Sequence, residues 1–190
     1  MTTKDRTWPL AEAQALAHTL KTLLEPSCLR IEIAGSVRRQ KPFVHDIELL
    51  AVPKGNDGAA WFTDMLEETM AHLVFDAGLN PSGGTVFTER PNKLGRATYG
   101  PKNKLLIHCA TGMPVDLFTT TEENWGMALV VRTGSADYCV RLMSRLRVLG
   151  CRGHAYGGIT DAGGVEVTCP DEETVFRLAE WDWIPPEERS

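Results

Sequence analysis

The chain has 190 residues, 43% apolar and 24% charged, with 17 glycines and 11 prolines, a balance that excludes a disordered, collagenous or coiled-coil protein. That length suits one ordinary domain or two small ones sharing an interface and excludes a multi-module enzyme. A formal net charge of −5 argues against nucleic acid, since phosphate binding draws on basic surface, but the average hides a gradient. Residues 1–89 carry 8 cations against 12 acids, residues 90–152 carry 10 against 4, and residues 153–190 carry 2 against 9. The middle cations, Arg90, Lys93, Arg96, Lys102, Lys104, Arg132, Arg141, Arg145, Arg147 and Arg152, could form one local electrostatic footprint. Met1 to Leu10 is not followed by an apolar stretch of signal-peptide length, and no segment approaches the roughly 20 apolar residues of a membrane span, so a cytoplasmic location is expected. The five cysteines, Cys28, Cys109, Cys139, Cys151 and Cys169, form no C-x-x-C pair and read as reduced core thiols, neither a disulfide framework nor a zinc site.

Along the chain, Leu10, Ala13, Leu16, Ala17, Leu20, Leu23 and Leu24 follow the spacing of an amphipathic helix over 9–24, ended by Pro26. Leu29, Ile31 and Ile33 alternate with Arg30 and Glu32 in a predicted strand that runs into Gly35-Ser36, and a second strand is predicted over 44–52. A helix follows over 57–75, stopped by Gly78, and then a loop-rich stretch over 80–103 with room for a short hairpin. Residues 104–110 and 114–119 read as a hairpin around Thr111-Gly112-Met113, with Asp116 in its second strand. Beyond Thr121 the pattern changes to a helix over 123–131, a break at Thr133-Gly134-Ser135 and a helix to about Leu149. Short strands at Ile159 and 165–168 then flank a turn, and a last helix spans 171–179 with Pro170 in its first turn. The fold class is α/β (α+β): a mixed β-sheet with helices on one side, residues 1–120, followed by a small α/β subdomain, residues 121–190.

The chemistry concentrates in Gly35-Ser36 and Asp46-Ile47-Glu48, with Asp116 on a separate strand. Alternation puts Asp46 and Glu48 on one face, roughly 7 Å apart at the α-carbons. Three converging carboxylates repel one another and stay ionised when divalent cations compensate them. Oxygen-only ligands favour magnesium or manganese, and two such ions serve phosphoryl or nucleotidyl transfer. Gly35 permits a tight backbone approach, and Ser36 is placed to cap the short helix it begins, whose amides would cradle a triphosphate. Arg38 and Arg39 stand one turn away, and an arginine fork suits phosphate oxygens. A bare D-x-E is more often the solvated side of a strand, and the surrounding Gly-Ser and arginines are what lift it above that reading.

The string Ile33-Ala34-Gly35-Ser36-Val37-Arg38-Arg39 to Asp46-Ile47-Glu48-Leu49-Leu50 resembles the nucleotide- and metal-binding motif of the DNA polymerase X family, the group containing polymerase beta. Val115-Asp116-Leu117-Phe118 is similar to the strand carrying that family's third metal carboxylate, and Arg132-Thr133-Gly134-Ser135 to its thumb motif near the incoming sugar. Glu172 to Arg177 and Ile184-Pro185-Pro186-Glu187-Glu188-Arg189 resemble the closing segment of bacterial members, with no obvious catalytic reason. The resemblance covers palm and thumb without the lyase, fingers or phosphoesterase parts, as in a minimal, virus-type form. It implies that Asp46, Glu48 and Asp116 hold two magnesium ions. It places Gly35, Ser36, Arg38 and Arg39 at the triphosphate, and Gly134 and Ser135 at the sugar pocket. Glu48 stands where well-known members have Asp, and Val131-Arg132 replaces an aromatic pair.

The implied activity is template-directed short-gap filling: dNMP is added to a primer hydroxyl of gapped or primer-template DNA, and pyrophosphate leaves. The protein would act as an intracellular monomer, nucleoid-associated or virus-encoded, that an accessory protein could assist. The rivals are a template-independent terminal transferase, a nucleotidyltransferase acting on RNA, a protein or a small molecule, and a non-enzymatic DNA-end-binding module. Three retained acids argue against the last, because uncompensated acids repel phosphate. Trp125, Trp181 and Trp183 read as packing residues before base-stacking ones.

Overall fold

The computed structural model describes residues 6–55, 64–76, 84–92, 94–154 and 157–190. Trp8–Pro9 forms a two-residue strand, β1, that leads directly into α1, Leu10–Leu24. Ala13, Ala17, Leu20 and Leu24 recur at helical spacing and are all buried, so the helix lays one stripe on its neighbours. Strand β2, Cys28–Ile33, buries Ile31 and Ile33 as expected, yet Leu29 is 58% exposed. The pairing register shifts between Cys28 and Arg30, and such a bulge breaks the alternation on which the sequence reading relied.

After a single helical turn, α2 (Gly35–Arg38), the strand predicted over 44–52 divides in two. Strand β3, Phe43–Val44, is captured by β1, and β4, Ile47–Pro53, enters the main sheet, leaving His45 and Asp46 as the link. Helix α3, Met65–Phe75, starts at Asp64, whose carboxylate accepts from the amides of Leu66 at 2.9 Å and Glu67 at 3.1 Å. The earlier part of that predicted helix, and Gly78, lie outside the described residues. Strands β5 (Phe87–Glu89), β6 (Asn103–His108) and β7 (Pro114–Thr119) complete a five-stranded sheet in the order β2-β4-β7-β6-β5. β4 and β7 are parallel and every other pairing is antiparallel. β6 and β7 form the predicted hairpin.

Side-chain alternation in β4 and β7 divides two cores. Ile47, Leu49, Ala51, Val115 and Leu117 pack with α1 and α3 on one face. Leu50, Val52 and Phe118 pack on the other with Trp125, Ala128 and Leu129 of α4, Trp125–Thr133. A strand covered on both faces reads as a continuous apolar run, which is what Leu49 to Val52 is.

Beyond α4 come α5 (Ala136–Val148), the small antiparallel sheet β8 (Arg152–Gly153), β9 (Ile159–Thr160) and β10 (Glu166–Val167), and α6 (Glu172–Leu178). They share a core of Met127, Val130, Tyr138, Leu142, Leu146, Ile159, Val175 and Phe176. Trp125 is buried and Trp181 packs edge-on to Tyr138, as packing residues do, whereas Trp183 meets Phe176 edge-on yet stays half exposed. Asp171 caps α6, its side chain accepting from the Thr174 amide at 2.7 Å, so Pro170 sits ahead of the cap instead of in the first turn. All five cysteines are free, but only Cys28 and Cys169 are fully buried, and Cys109, just past the end of edge-adjacent β6, is exposed.

One carboxylate ties the two halves together. Arg38 donates through Nη1 and Nη2 to the two Glu172 oxygens at 2.7 and 2.8 Å, and Arg189 donates to the same pair at 2.5 and 3.3 Å. Arg38 also reaches Thr133 Oγ1 at 2.8 Å. Arg189 is fully buried. Its Nε donates to the Ile184 carbonyl at 2.9 Å, and its own carbonyl accepts from the Ser135 amide at 2.9 Å. The closing segment, which the sequence alone leaves without a purpose, therefore holds Glu172 and the turn before α5. Burial raises the Glu172 pKa, but the two guanidiniums outweigh it and hold the group below its ordinary value. Removing one member of a buried ion pair costs about 3–5 kcal/mol. Glu172→Ala should lower the unfolding free energy by about that much in urea titrations, and Arg38→Ala by less, because Arg38 keeps some contact with water.

Candidate active site

The parallel register sets Glu48 directly beside Asp116, about 4.8 Å apart between strands. Both residues have the parity of Leu50 and Phe118 and so lie on the sheet face covered by α4. Asp46 precedes β4 in the link, two residues ahead of Glu48, where the sequence places it inside a strand. The three acids act on one another. Burial, then repulsion from Asp46 and Asp116, pushes Glu48 up to about 8. Burial raises Asp116 to about 6 although Arg90 opposes it, and raises Asp46 above its ordinary value against Arg90, His45 and Arg39.

Three guanidiniums face these acids. Arg90 forms an ion pair with Asp116 and also acts on Asp46. Its backbone amide donates to the Leu105 carbonyl at 2.8 Å, and Leu105 pairs with Asp116 across β6 and β7, so the edge of the sheet delivers its side chain. Arg132, in the last turn of α4, lies 3.6 Å from the centre of the Phe118 ring and acts on Glu48 and Asp116. Arg39 acts on Asp46 and Glu48 and donates to the Thr133 carbonyl at the end of α4, a favourable place for a cation. The Nε groups of Arg39 and Arg90 are both buried without an acceptor.

Gly35 adopts φ +62°, and a Cβ there would lie 3.0 Å from both Cγ and Cδ of Glu48. It is glycine for two reasons, the left-handed backbone and the carboxylate arm packed against it. The Ala34 amide also donates to the Glu48 carbonyl at 2.8 Å, joining this turn to β4. Ser36 does not cap α2: the cap position is Ala34, without a side-chain bond, because the turn begins at Gly35 and leaves Ser36 inside it. Of the other residues singled out, Arg38 is directed to Glu172 and Thr133. Gly134 packs against Tyr138, whose ring a Cβ would approach to 2.5 Å. Ser135 caps α5, its Oγ accepting from the Tyr138 amide at 3.1 Å. The structure thus brings Asp46, Glu48, Asp116 and Arg39 into one cluster beneath the end of α4, with Gly35 against Glu48, and gives Arg38 a bracing contact instead.

An all-oxygen, mutually repelling donor set suits a hard divalent cation, and two unsatisfied guanidinium N–H groups beside it suit phosphate oxygens. Among the described residues, however, no group of three His, Cys, Asp or Glu side chains is arranged to hold a metal ion, and Arg90 supplies the charge opposite Asp116. Several cations of the basic segment are likewise engaged within the fold. Lys104 is buried against Glu67 and the Gly100 carbonyl, Arg145 pairs with Glu180, and Arg141 donates to the Ser190 carbonyl. The electrostatic footprint is accordingly smaller than the sequence count implies, with Arg147 and Arg152 exposed beside the β9–β10 turn.

Fold and site define an α+β protein whose mixed sheet carries an acid–arginine cluster beneath a helix end. Residues 128–190, about a third of the chain, match the family model of the DNA polymerase beta thumb. That region is similar to an X-family polymerase thumb and contains Arg132, Thr133, Gly134, Ser135, Glu172 and Arg189. A search of curated proteins finds no match. No described helix is long and apolar enough to cross a membrane.

Sequence reasoning missed Arg90 as a member of the cluster; its one signal was the cation surplus of residues 90–152. Two expected outcomes test the geometry. Gly35→Ala should strain the backbone by about 1–2 kcal/mol and displace the Glu48 side chain, seen as a lower denaturation midpoint and a shifted Glu48 titration. Because folding raises the Glu48 pKa from 4.5 to about 8, the folded state holds the proton more tightly. Stability of the metal-free protein should therefore decline as pH rises from 4.5 toward about 8, with Asp116 contributing between 3.8 and about 6. Glu48→Gln should flatten the upper part of that decline in thermal melts.

Proposed function

We propose that this protein is a metal-dependent DNA nucleotidyltransferase of the X-polymerase kind, extending a primer hydroxyl with deoxynucleotides opposite a template. The observation that carries the reading is the juxtaposition of Asp46, Glu48 and Asp116 under Arg132 and Thr133, the point where the thumb-like region meets the sheet. The thumb match independently favours a DNA polymerase-like role with DNA as partner.

In this reading Asp46, Glu48 and Asp116 would hold magnesium, for which manganese would substitute. When bound, the ions would lower the pKa of the primer hydroxyl and shield the leaving pyrophosphate. The chain's own residues supply the rest. Arg39, with its spare Nε–H, binds the triphosphate beside Ser36. Gly35 keeps the backbone close enough for the nucleotide to reach the acids. Gly134 and Ser135 fix the turn that shapes the sugar pocket, and Arg38, committed to Glu172, holds α2 in position. Orientation of the primer and the α-phosphate for in-line attack then accounts for much of the rate.

The engagement of Lys104, Arg132, Arg141 and Arg145 within the fold favours one second reading, transfer to a substrate smaller than duplex DNA. One assay separates the two: incorporation of each labelled nucleotide on gapped duplex, recessed primer and single strand, with magnesium or manganese. Template-matched addition on the gapped substrate supports the polymerase, and untemplated addition or none overturns it. Asp116→Asn should lower turnover by about 10²–10³-fold, the usual cost of one lost electrostatic contact to a transition state, with the thermal midpoint of the protein unchanged or raised.

A further inference from the structure

Thr120 and Asn124 mark the far ends of the two elements that meet at the acidic cluster. Asp116, Phe118 and Thr120 share one face of β7 and its continuation, where the Thr120 amide still donates to the Ala51 carbonyl at 3.0 Å. From Asp116 to Thr120 is about 13 Å along the strand, and from Arg132 back to Asn124 is about 12 Å along α4. At that far end, between Thr120, Asn124 and the loop from β8 to β9, lies a cavity of about 470 Å³, lined by none of the acids or arginines of the cluster. Its volume falls within the roughly 300–1,000 Å³ of small-molecule sites.

The lining suits a neutral, hydrogen-bonding ligand. Lys102 and His154 stand there against two carboxylates, Asp64 and Glu166, so a phosphate finds no net positive charge. Asn124 occupies the N-cap position of α4, yet its side chain makes no cap bond, and among the described residues its carboxamide has no hydrogen-bond partner. Two glycines leave it uncovered. Gly157 and Gly158 adopt φ +88° and +94°. A Cβ on Gly158 would lie 3.1 Å from the Oδ1 of Asn124, and one on Gly157 would lie 3.1 Å from the Oγ1 of Thr120. Any other residue at either position would strain the backbone and take up the space beside these polar atoms. A carboxamide presents a donor and an acceptor side by side, the pattern that adenine matches through its N7 and its N6 amino group.

We infer that this cavity takes one unpaired adenine base of the nucleic-acid strand engaged at the acidic cluster, read by the carboxamide of Asn124. This rests on the polymerase reading above and adds to it a site that reads sequence, where a grip on phosphates alone would treat all sequences alike. At about 3.4 Å per stacked nucleotide, a span of about 12 Å along α4 sets that base about four steps from the nucleotide being joined.

The test is a binding scan with the full chain. A labelled primer–template carries an unpaired oligo(dT) template extension in which a single adenine is moved one position at a time, and affinity is read by fluorescence anisotropy at fixed salt. Adenine about four positions from the duplex end should bind at least about fivefold tighter than the all-thymine extension, and 7-deazaadenine there, which lacks N7, should not. In Asn124→Ala the preference should vanish while affinity for the all-thymine extension is kept. Because the carboxamide caps nothing, the thermal midpoint of that variant should equal the wild type's. Competing adenosine tells a free nucleoside from a base carried by a strand: it should abolish the preference only at concentrations far above that of the DNA. The inference is overturned if no position of adenine is preferred, if 7-deazaadenine does as well, if Asn124→Ala keeps the preference, or if adenosine competes at the concentration of the DNA. A position-specific adenine preference in a protein that incorporates no nucleotide would sink the polymerase reading and leave the cavity standing. Template-matched incorporation without any such preference would do the reverse.

Discussion

The parallel pairing of β4 with β7 is the constraint around which the rest is arranged. It fixes Glu48 and Asp116 one strand spacing apart on a covered face of the sheet, where two carboxylates repel and neither is well solvated. A fold meant only to be stable would place apolar residues there, as it does two positions further along at Leu50 and Phe118. Here the repulsion is kept and opposed locally by guanidiniums delivered from three separate elements: the turn after β2, the edge of the sheet and the last turn of α4. Retained electrostatic tension of this kind is a mark of functional sites.

The same logic explains why the junction between the two halves is polar at its centre. Apolar contact between Leu50, Val52, Phe118 and Trp125, Ala128, Leu129 holds α4 on the sheet but does not set where the end of α4 stops. Glu172, gripped by Arg38 and Arg189, sets that position through Thr133 and Ser135. Directional, fully paired contacts specify one arrangement where apolar packing alone would accept several. A buried carboxylate between two arginines thus supports a second, less satisfied carboxylate cluster a short distance away.

Much of this was legible in the sequence. The alternation around Ile47 and Leu49, the glycine at 35, the hairpin carrying Asp116 and the break at Gly134 all follow from local chemistry, because each depends on neighbours close in the chain. What was not legible depended on partners far away. Arg38 and Arg39 look alike in the sequence, yet one meets Glu172, 134 residues on, and the other faces the acids. The strand predicted over 44–52 is interrupted where Val44 pairs with Trp8 outside the main sheet, and Leu29 turned outward because of a bulge that no residue type announces. Arg90 sits in no motif; only the order of strands brings it to Asp116.

That strand order has a consequence for how the molecule is made. Among the described strands of the large sheet, β4 and β7 are the neighbours furthest apart in the chain, with α3, β5 and β6 between Glu48 and Asp116. Closing so long a loop costs conformational entropy, and pairing of high sequence separation slows folding. The acidic pair is brought together by the same pairing that buries Ile47 and Leu49 beside Val115 and Leu117, so the apolar gain of that pairing offsets the repulsion between like charges as it forms.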